Sequence, residues 1–143
     1  MVRPGGVLAL DCGEKKCGFA STDALRIARA ALGTLRHEGR EDVLLAHVQR
    51  LLDERDVGTL LVGLPLNMDG SSGPRAAAVT AFAERLRARF PGLEVITWDE
   101  RLTTKEAEAR LREHGRRGRA VKAERDSWSA LVLLEDWLAR ESG

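Results

Sequence analysis

Apolar residues form two kinds of pattern along this chain of 143 residues. Short continuous apolar runs bounded by turn residues indicate buried strands, whereas apolar positions three and four residues apart indicate amphipathic helices. The first pattern predicts five strands, at Val7–Leu10, Cys17–Ser21, Ile27–Leu35, Thr59–Val62 and Leu93–Trp98. The second predicts four helices, at Asp42–Asp53, from Pro74 to Phe90, at about Thr104–Glu113 and at about Arg125–Arg140. The alanines of the third strand would also permit a helix.

The order of these elements predicts the fold class. Three strands joined as a meander come first, followed by helix, strand, helix, strand and two helices, which is typical of an α/β domain with a mixed sheet covered on both faces. Residues 1–143 are expected to form one domain. The order resembles that of the ribonuclease H-like fold, which implies a five-stranded sheet in the order 3-2-1-4-5.

Three acidic residues lie where an apolar element ends or begins. Asp11 continues the first strand, Glu100 follows the fifth, and Asp126 lies in the first turn of the last helix, four residues before the inward-facing Ala130. A carboxylate at the end of a buried element must be paired, hydrated or bound to a cation. Because carboxylates are preferred ligands of Mg²⁺ and Mn²⁺, the three acids predict a metal site able to hydrolyse phosphodiesters.

Each acid also has an ordinary structural explanation, since Asp is common in turns and in the first turn of a helix. Glu100 raises a geometric problem: in the proposed sheet its strand lies two strand spacings, roughly 10 Å, from that of Asp11. Asp69, or Asn67, in the loop after the intervening strand is therefore a competing third ligand. Asp69-Gly70 is also a common turn sequence.

Positive charge is concentrated locally although the net charge is only +1. A basic segment lies between Arg110 and Arg125, and its part from Gly115 to Glu124 is predicted to be a mobile loop. Such a patch can attract a phosphate backbone in a nearly neutral protein. The loop that ends at Pro74 adds the N-terminus of a helix, which favours phosphate. The residues predicted to bind nucleic acid are Lys15, Lys16, Asn67, Arg75, Arg101, Arg116, Arg117, Arg119 and Lys122.

The composition excludes several other classes of protein. The chain is 43% hydrophobic and 31% charged, and no apolar run approaches the roughly 20 residues that span a bilayer. Its N-terminus lacks the apolar stretch of a secretory signal, so a cytoplasmic location is expected. Cys12 and Cys17 have no nearby histidine to complete a zinc site. We expect two half-buried thiols, able to face each other across a hairpin, without a functional role.

The chain also resembles the YqgF family, called RuvX, within the ribonuclease H-like proteins. The resemblance covers nearly the whole sequence, and its residues are Leu10–Gly13, Gly18–Ala20, Val62–Gly70 with Gly73-Pro74, Asp99–Ala107, and Asp126 leading into Ala130 and Leu134. It implies that Asp11, Glu100 and Asp126 are catalytic acids that bind Mg²⁺ or Mn²⁺. Lys16, Cys17 and Trp128-Ser129 depart from the family pattern without touching these acids.

Three functions follow as expectations. The resemblance implies a metal-dependent nuclease that processes the 5′ end of the precursor of 16S ribosomal RNA, a structured RNA. The family's other proposed activity is resolution of Holliday junctions in branched DNA, which needs two paired sites and so predicts a homodimer. The third alternative is a non-catalytic nucleic-acid-binding module. Sugar-kinase and actin-like ATPases share the first hairpin, but this chain is too short for their second lobe.

Overall fold

The computed structural model describes residues 5–102, 109, 112–113 and 127–142. The five strands are β1 (Gly6–Cys12), β2 (Lys16–Thr22), β3 (Arg29–Arg36), β4 (Val57–Leu64) and β5 (Glu94–Asp99). The longer helices in these ranges are α1 (Glu41–Asp53), α2 (Pro74–Arg89) and α3 (Trp128–Ser142), and a short 3₁₀ helix (Glu100–Leu102) follows β5.

The strands form one mixed sheet in the order β3-β2-β1-β4-β5. The meander of β1, β2 and β3 is antiparallel, whereas β1, β4 and β5 run parallel. This is the predicted order, and the α/β fold class is confirmed. Because three parallel strands finish at the same edge of the sheet, the segments that follow them are brought together there.

Two apolar clusters cover the two faces of the sheet. On β1, Leu8 and Leu10 join the cluster beneath α1 and α2, whereas Val7 and Ala9 join the cluster beneath α3. All four side chains are completely buried. Burial on both faces explains why the central strands are continuous apolar runs instead of alternating polar and apolar positions.

The alanine-rich segment is a strand, β3, at one edge of the sheet. A register shift interrupts its pairing with β2 between Phe19 and Ala20, and Gly33 has a φ of 85° there. The hydroxyl of Ser127, just before α3, accepts a hydrogen bond from the Gly33 amide at 2.7 Å and donates one to the Gly33 carbonyl at 2.9 Å. This reciprocal pair fixes the start of α3 on the edge strand.

Several predictions fall on residues outside the described ranges. They are most of the helix predicted at about Thr104–Glu113, the basic loop from Gly115 to Glu124, and the first residues of the last helix, including Asp126. Arg116, Arg117, Arg119 and Lys122 belong to the same segment. These expectations stay predictions.

Candidate active site

The candidate site lies at the edge where β1, β4 and β5 end. Asp11 is the last residue but one of β1, and Glu100 directly follows β5. Both strands are parallel to β4, which lies between them. The two acids therefore belong to the same edge, the usual place for ligands in sheets of this kind.

Glu100 crosses the intervening strand by lying over Gly63, near the end of β4. A Cβ atom built at Gly63 would be 2.4 Å from Glu100 Oε1 and 3.1 Å from its Cδ. The Glu100 carboxyl continues beyond β4 to form a hydrogen bond with the Asp11 side chain. The gap of two strand spacings is thus closed by the side chain itself, because the strand it crosses has no side chain at that point.

Burial and the Asp11 carboxylate affect the charge of Glu100. The pKa of Glu100 is raised to about 8 by burial, by its hydrogen bond to Asp11 and by the negative charges of Asp11 and Asp99, against the opposing effect of Arg75. Two adjacent carboxylates resist simultaneous ionisation unless a cation compensates them. The oxygen atoms of such a pair are the donors that Mg²⁺ and Mn²⁺ prefer. The residues present therefore fit a hard divalent cation.

Within the described residues, no group of three His, Cys, Asp or Glu side chains that could hold a metal is assembled. The structure brings together two of the three predicted acids. The third, Asp126, is outside those residues and directly precedes Ser127, whose contact with Gly33 fixes the adjacent start of α3.

Asp69, the competing ligand, has different partners. Its carboxylate accepts hydrogen bonds from the Ser71 amide at 2.9 Å and the Ser71 hydroxyl at 2.6 Å, and these bonds lower its pKa. Asn67 donates to the same hydroxyl at 3.0 Å. Both residues order the exposed loop after β4, and it is Glu100 that contacts Asp11.

The predicted basic residues of the described part divide into two groups. Arg75 and Arg101 are held by the protein: Arg75 Nη2 donates to the Cys12 carbonyl at 2.8 Å, and Arg101 donates to the Asp99 carboxylate at 2.7 Å. Lys15 and Lys16 are exposed in and beside the turn between β1 and β2.

A groove of about 390 Å³ starts beside Asp11 on the α3 face of the sheet. Lys15, Lys16, Thr34 and Ser129 are among its other lining residues. Asp11 is a cross-strand neighbour of Gly18, which in turn pairs with Thr34, so the groove crosses three strands. Besides the carboxylates of Asp11 and Glu14, it offers ammonium and hydroxyl groups that suit a sugar-phosphate chain.

Comparison with known proteins identifies the family. The family model described as "RuvX: Holliday junction resolvase" matches residues 5–140. The chain belongs to the RuvX family. It is 48% identical over 132 residues to the "Putative pre-16S rRNA nuclease" of Anaeromyxobacter sp. (strain Fw109-5), covering 92% of this chain and 94% of that relative. A relative with the same name from Halalkalibacterium halodurans is 38% identical over 135 residues, covering 94% and 96%.

Among solved structures, YeaZ from Pseudomonas aeruginosa gives a TM-score of 0.47 at 20% identity, covering 78% of this chain and 50% of that chain. Similarity at this level says nothing about activity. In the part of this RuvX-family chain that the structure describes, no helix is long and apolar enough to cross a bilayer.

The cysteines differ from expectation. Cys12 and Cys17 are cross-strand neighbours in the first hairpin and form a disulfide. The expected position across a hairpin is correct, whereas the expected pair of separate thiols is wrong in this structure. The reason is geometric: the turn between β1 and β2 places the two residues directly opposite each other, with a Cα–Cα distance of 4.0 Å.

Gly63 is the structural residue that our sequence reasoning missed. The available signal was a glycine that directly follows three buried apolar residues of a central strand, Leu60 to Val62. Glycine in such a position marks a close approach by another group. In this RuvX-family protein that group is the side chain of Glu100.

Proposed function

We propose that this RuvX-family protein is a metal-dependent phosphodiesterase that cleaves structured RNA, with the 5′ end of the 16S ribosomal RNA precursor as its substrate. The observation that carries the proposal is the meeting of the Asp11 and Glu100 carboxyl groups across Gly63. Relatives named for this substrate, at up to 48% identity among those compared, support the choice of RNA. Cleavage of a ribosomal RNA precursor would take place in the cytoplasm.

In this proposal Asp11, Glu100 and Asp126 hold Mg²⁺ or Mn²⁺. A bound divalent cation supplies an activated water and stabilises the charge that develops on the phosphate. The raised pKa of Glu100 means that a proton leaves the acid pair before both carboxylates can act as ligands.

The chain's own cations would position the RNA. Lys15 and Lys16 line the groove that begins at Asp11 and would contact phosphates there. Arg75, whose charge already acts on Glu100, is close enough to the acid pair to oppose the negative charge of a bound phosphate. Arg116, Arg117, Arg119 and Lys122 would extend this surface. Asn67 and Arg101 would act indirectly, through the loop after β4.

The proposal is tested with the parent protein and the variants Asp11→Asn, Glu100→Gln and Asp69→Asn. Each is incubated with a 5′-extended 16S precursor and Mn²⁺, and Mn²⁺ binding is measured separately by calorimetry. We expect the first two variants to lose cleavage by more than about 100-fold, since loss of an outer partner of a metal ligand already costs 10–100-fold, and to bind Mn²⁺ weakly. Asp69→Asn should resemble the parent. Equal cleavage by the parent and Asp11→Asn would exclude the proposed chemistry.

The second candidate is resolution of four-way DNA junctions, favoured by the description of the matching family model. Symmetric cutting of two strands needs two sites related by a two-fold axis. Two measurements test this candidate: sedimentation with and without a synthetic junction gives the oligomeric state, and gel analysis of the strands shows which are cut. A dimer that cuts opposing strands supports junction resolution, and a monomer that cuts only RNA excludes it.

A further inference from the structure

The loop between β4 and α2 exposes an apolar side chain at its tip. Met68 is 89% exposed, compared with 77% for Leu25 and 66% for Ile27, the other exposed large apolar residues of the described part. Single exposed apolar side chains are common and need no explanation by themselves. Met68 differs from such residues in two ways: its loop is ordered by hydrogen bonds, and the loop is tied to the residue that follows Glu100.

The loop is held by its own hydrogen bonds. The Gly70 amide donates to the Asn67 carbonyl at 2.8 Å, and the Asn67 amide donates to the Ser71 carbonyl at 2.9 Å. The Asp69 carboxylate accepts from the Ser71 amide and hydroxyl. Gly70 has a φ of 88°, which suits glycine and closes the turn. Met68 is therefore displayed by an ordered turn.

Arg101 ties this turn to the acid pair. Its Nη1 atom donates to the Met68 carbonyl at 3.1 Å, and its guanidinium is oriented by three contacts with the Asp99 carboxylate, at 2.7, 3.1 and 3.2 Å. Arg101 directly follows Glu100, whose carboxyl contacts Asp11. The Met68 backbone is thus anchored by the side chain of the residue that directly follows the proposed metal ligand Glu100.

An apolar side chain on an ordered loop that is tied to the proposed phosphodiester-cleaving site has a natural counterpart in a nucleobase. The face of a base is covered by its neighbours within a continuous duplex and becomes accessible where stacking is interrupted. Apolar side chains, methionine among them, insert at such steps, and the polarisable thioether makes favourable contacts with aromatic rings. Flanking phosphates would be met by the positive charge of Arg75, which acts on the same acid pair.

We propose that Met68 packs against an unstacked base next to the scissile phosphate, so that the protein prefers RNA at a boundary between single and double strand. This inference rests on the proposed nuclease function and adds the form of RNA that the site accepts. The side chain acts on the base, and the acids act on the phosphate.

The test uses the Asp11→Asn protein, which changes no residue of the loop and is expected not to cleave the probe. Hairpin RNAs with a single-stranded 5′ extension carry 2-aminopurine at successive positions across the boundary, and binding is followed by fluorescence. Adding Met68→Ala should weaken binding about five-fold, as expected for loss of one contact between a thioether and an aromatic ring, and remove the fluorescence change at the boundary. Met68→Leu should keep most of both effects.

A fully paired RNA should bind equally well with and without the Met68→Ala substitution. Leu25→Ala removes an exposed apolar side chain in the loop between β2 and β3. It should change neither the RNA affinity nor the fluorescence at the boundary. If Met68→Ala leaves boundary binding and fluorescence unchanged, the inference is wrong and the nuclease proposal is unaffected. If the folded protein binds none of these RNAs, both the inference and the proposed function are wrong.

Discussion

Two pairs of acids in this protein have opposite electrostatic surroundings. Glu135 and Asp136, neighbours on α3, are almost completely buried. Glu135 accepts from Arg29 Nε at 2.8 Å, and Asp136 accepts from the Trp98 indole at 3.0 Å and lies 3.4 Å from Arg140. Asp11 and Glu100 instead face each other, and the pKa of Glu100 is raised to about 8.

We propose that this difference separates acids that stabilise the fold from acids that serve a ligand. A buried carboxylate with a donor or cation has its charge compensated by the protein. In the second pair, burial and the neighbouring Asp11 disfavour ionisation of Glu100, so that the ionised form of Glu100 lowers stability until a cation binds. Substitutions in the two pairs should therefore change stability in opposite directions.

The largest effect on stability is expected for Glu135→Ala. It leaves the Arg29 guanidinium without this carboxylate, and we expect a loss of about 2.5 kcal/mol, less than for a fully buried pair because the Arg29 side chain is 31% exposed. Urea unfolding measures the loss, and Mn²⁺ affinity should be unchanged. Glu141→Ala, an exposed acid on the same helix, is the matched control and should stay within about 0.5 kcal/mol of the parent. A small effect of Glu135→Ala on stability would mean that the acids on α3 do not differ from Asp11 and Glu100 in the way proposed.

Gly63→Ala tests the route by which Glu100 reaches Asp11. Because the new Cβ would lie 2.4 Å from Glu100 Oε1, the side chain must move, and we expect Mn²⁺ affinity to fall at least about 30-fold. Calorimetry measures the affinity. Gly92→Ala is the control, since a Cβ there meets nothing within 4 Å. Unchanged Mn²⁺ binding by Gly63→Ala would mean that Glu100 can bind the metal without lying over residue 63.

The stability of the metal-free protein should depend on the ionisation of Glu100. Its pKa rises from 4.5 to about 8 on folding, so the folded state favours the protonated form. This contribution is fully present below about pH 4.5 and is lost as the pH rises through 8.

Glu100→Gln mimics the protonated form, and its comparison with the parent isolates this contribution. The two proteins should be similarly stable at pH 5, whereas at pH 8.5 the variant should be about 2 kcal/mol more stable. This difference in the free energy of unfolding is smaller than the full pKa shift implies, because the site is partly open to water. Chemical denaturation in a chelating buffer measures both. Added Mn²⁺ should stabilise only the parent. If Glu100→Gln is less stable than the parent at pH 8.5, then ionised Glu100 does not destabilise the metal-free protein, and the proposed difference between the two acid pairs is wrong.

The smallest effect is expected for the indole contact of Asp136. Trp98→Phe keeps most of the ring and removes the hydrogen-bond donor, which should cost about 1 kcal/mol. A double-mutant cycle with Asp136→Asn separates this contact from packing. A coupling energy near zero would show that the Trp98 hydrogen bond adds no stability and that the Arg140 contact alone compensates the Asp136 charge.

The apolar pattern predicted most of the fold because burial on both faces of the sheet leaves few polar positions in β1 and β4. It left β3 ambiguous, since alanine suits both strand and helix and the deciding contacts come from the pairing with β2 and from Ser127. Asp11 could be singled out as a candidate from the sequence because it directly follows a buried apolar run.

The position of Glu100 was harder to predict. Counting strand spacings gave the distance between backbones, whereas the structure depends on a side chain that lies over a glycine. The arginines show a similar limit: a sequence reveals a cation, but only the fold shows that Arg101 is held by Asp99 and the Met68 carbonyl. The disulfide likewise depends on the register of the first hairpin.

The most direct test of the central claim is a crystal structure of the protein with Mn²⁺, using anomalous scattering to locate the ion. We predict a peak bound by oxygens of both Asp11 and Glu100, at about 2.1 Å, the distance typical of a small hard divalent ion. A peak bound by Asp69, or no peak at the acid pair, would contradict the claim that these two carboxyl groups form the metal site.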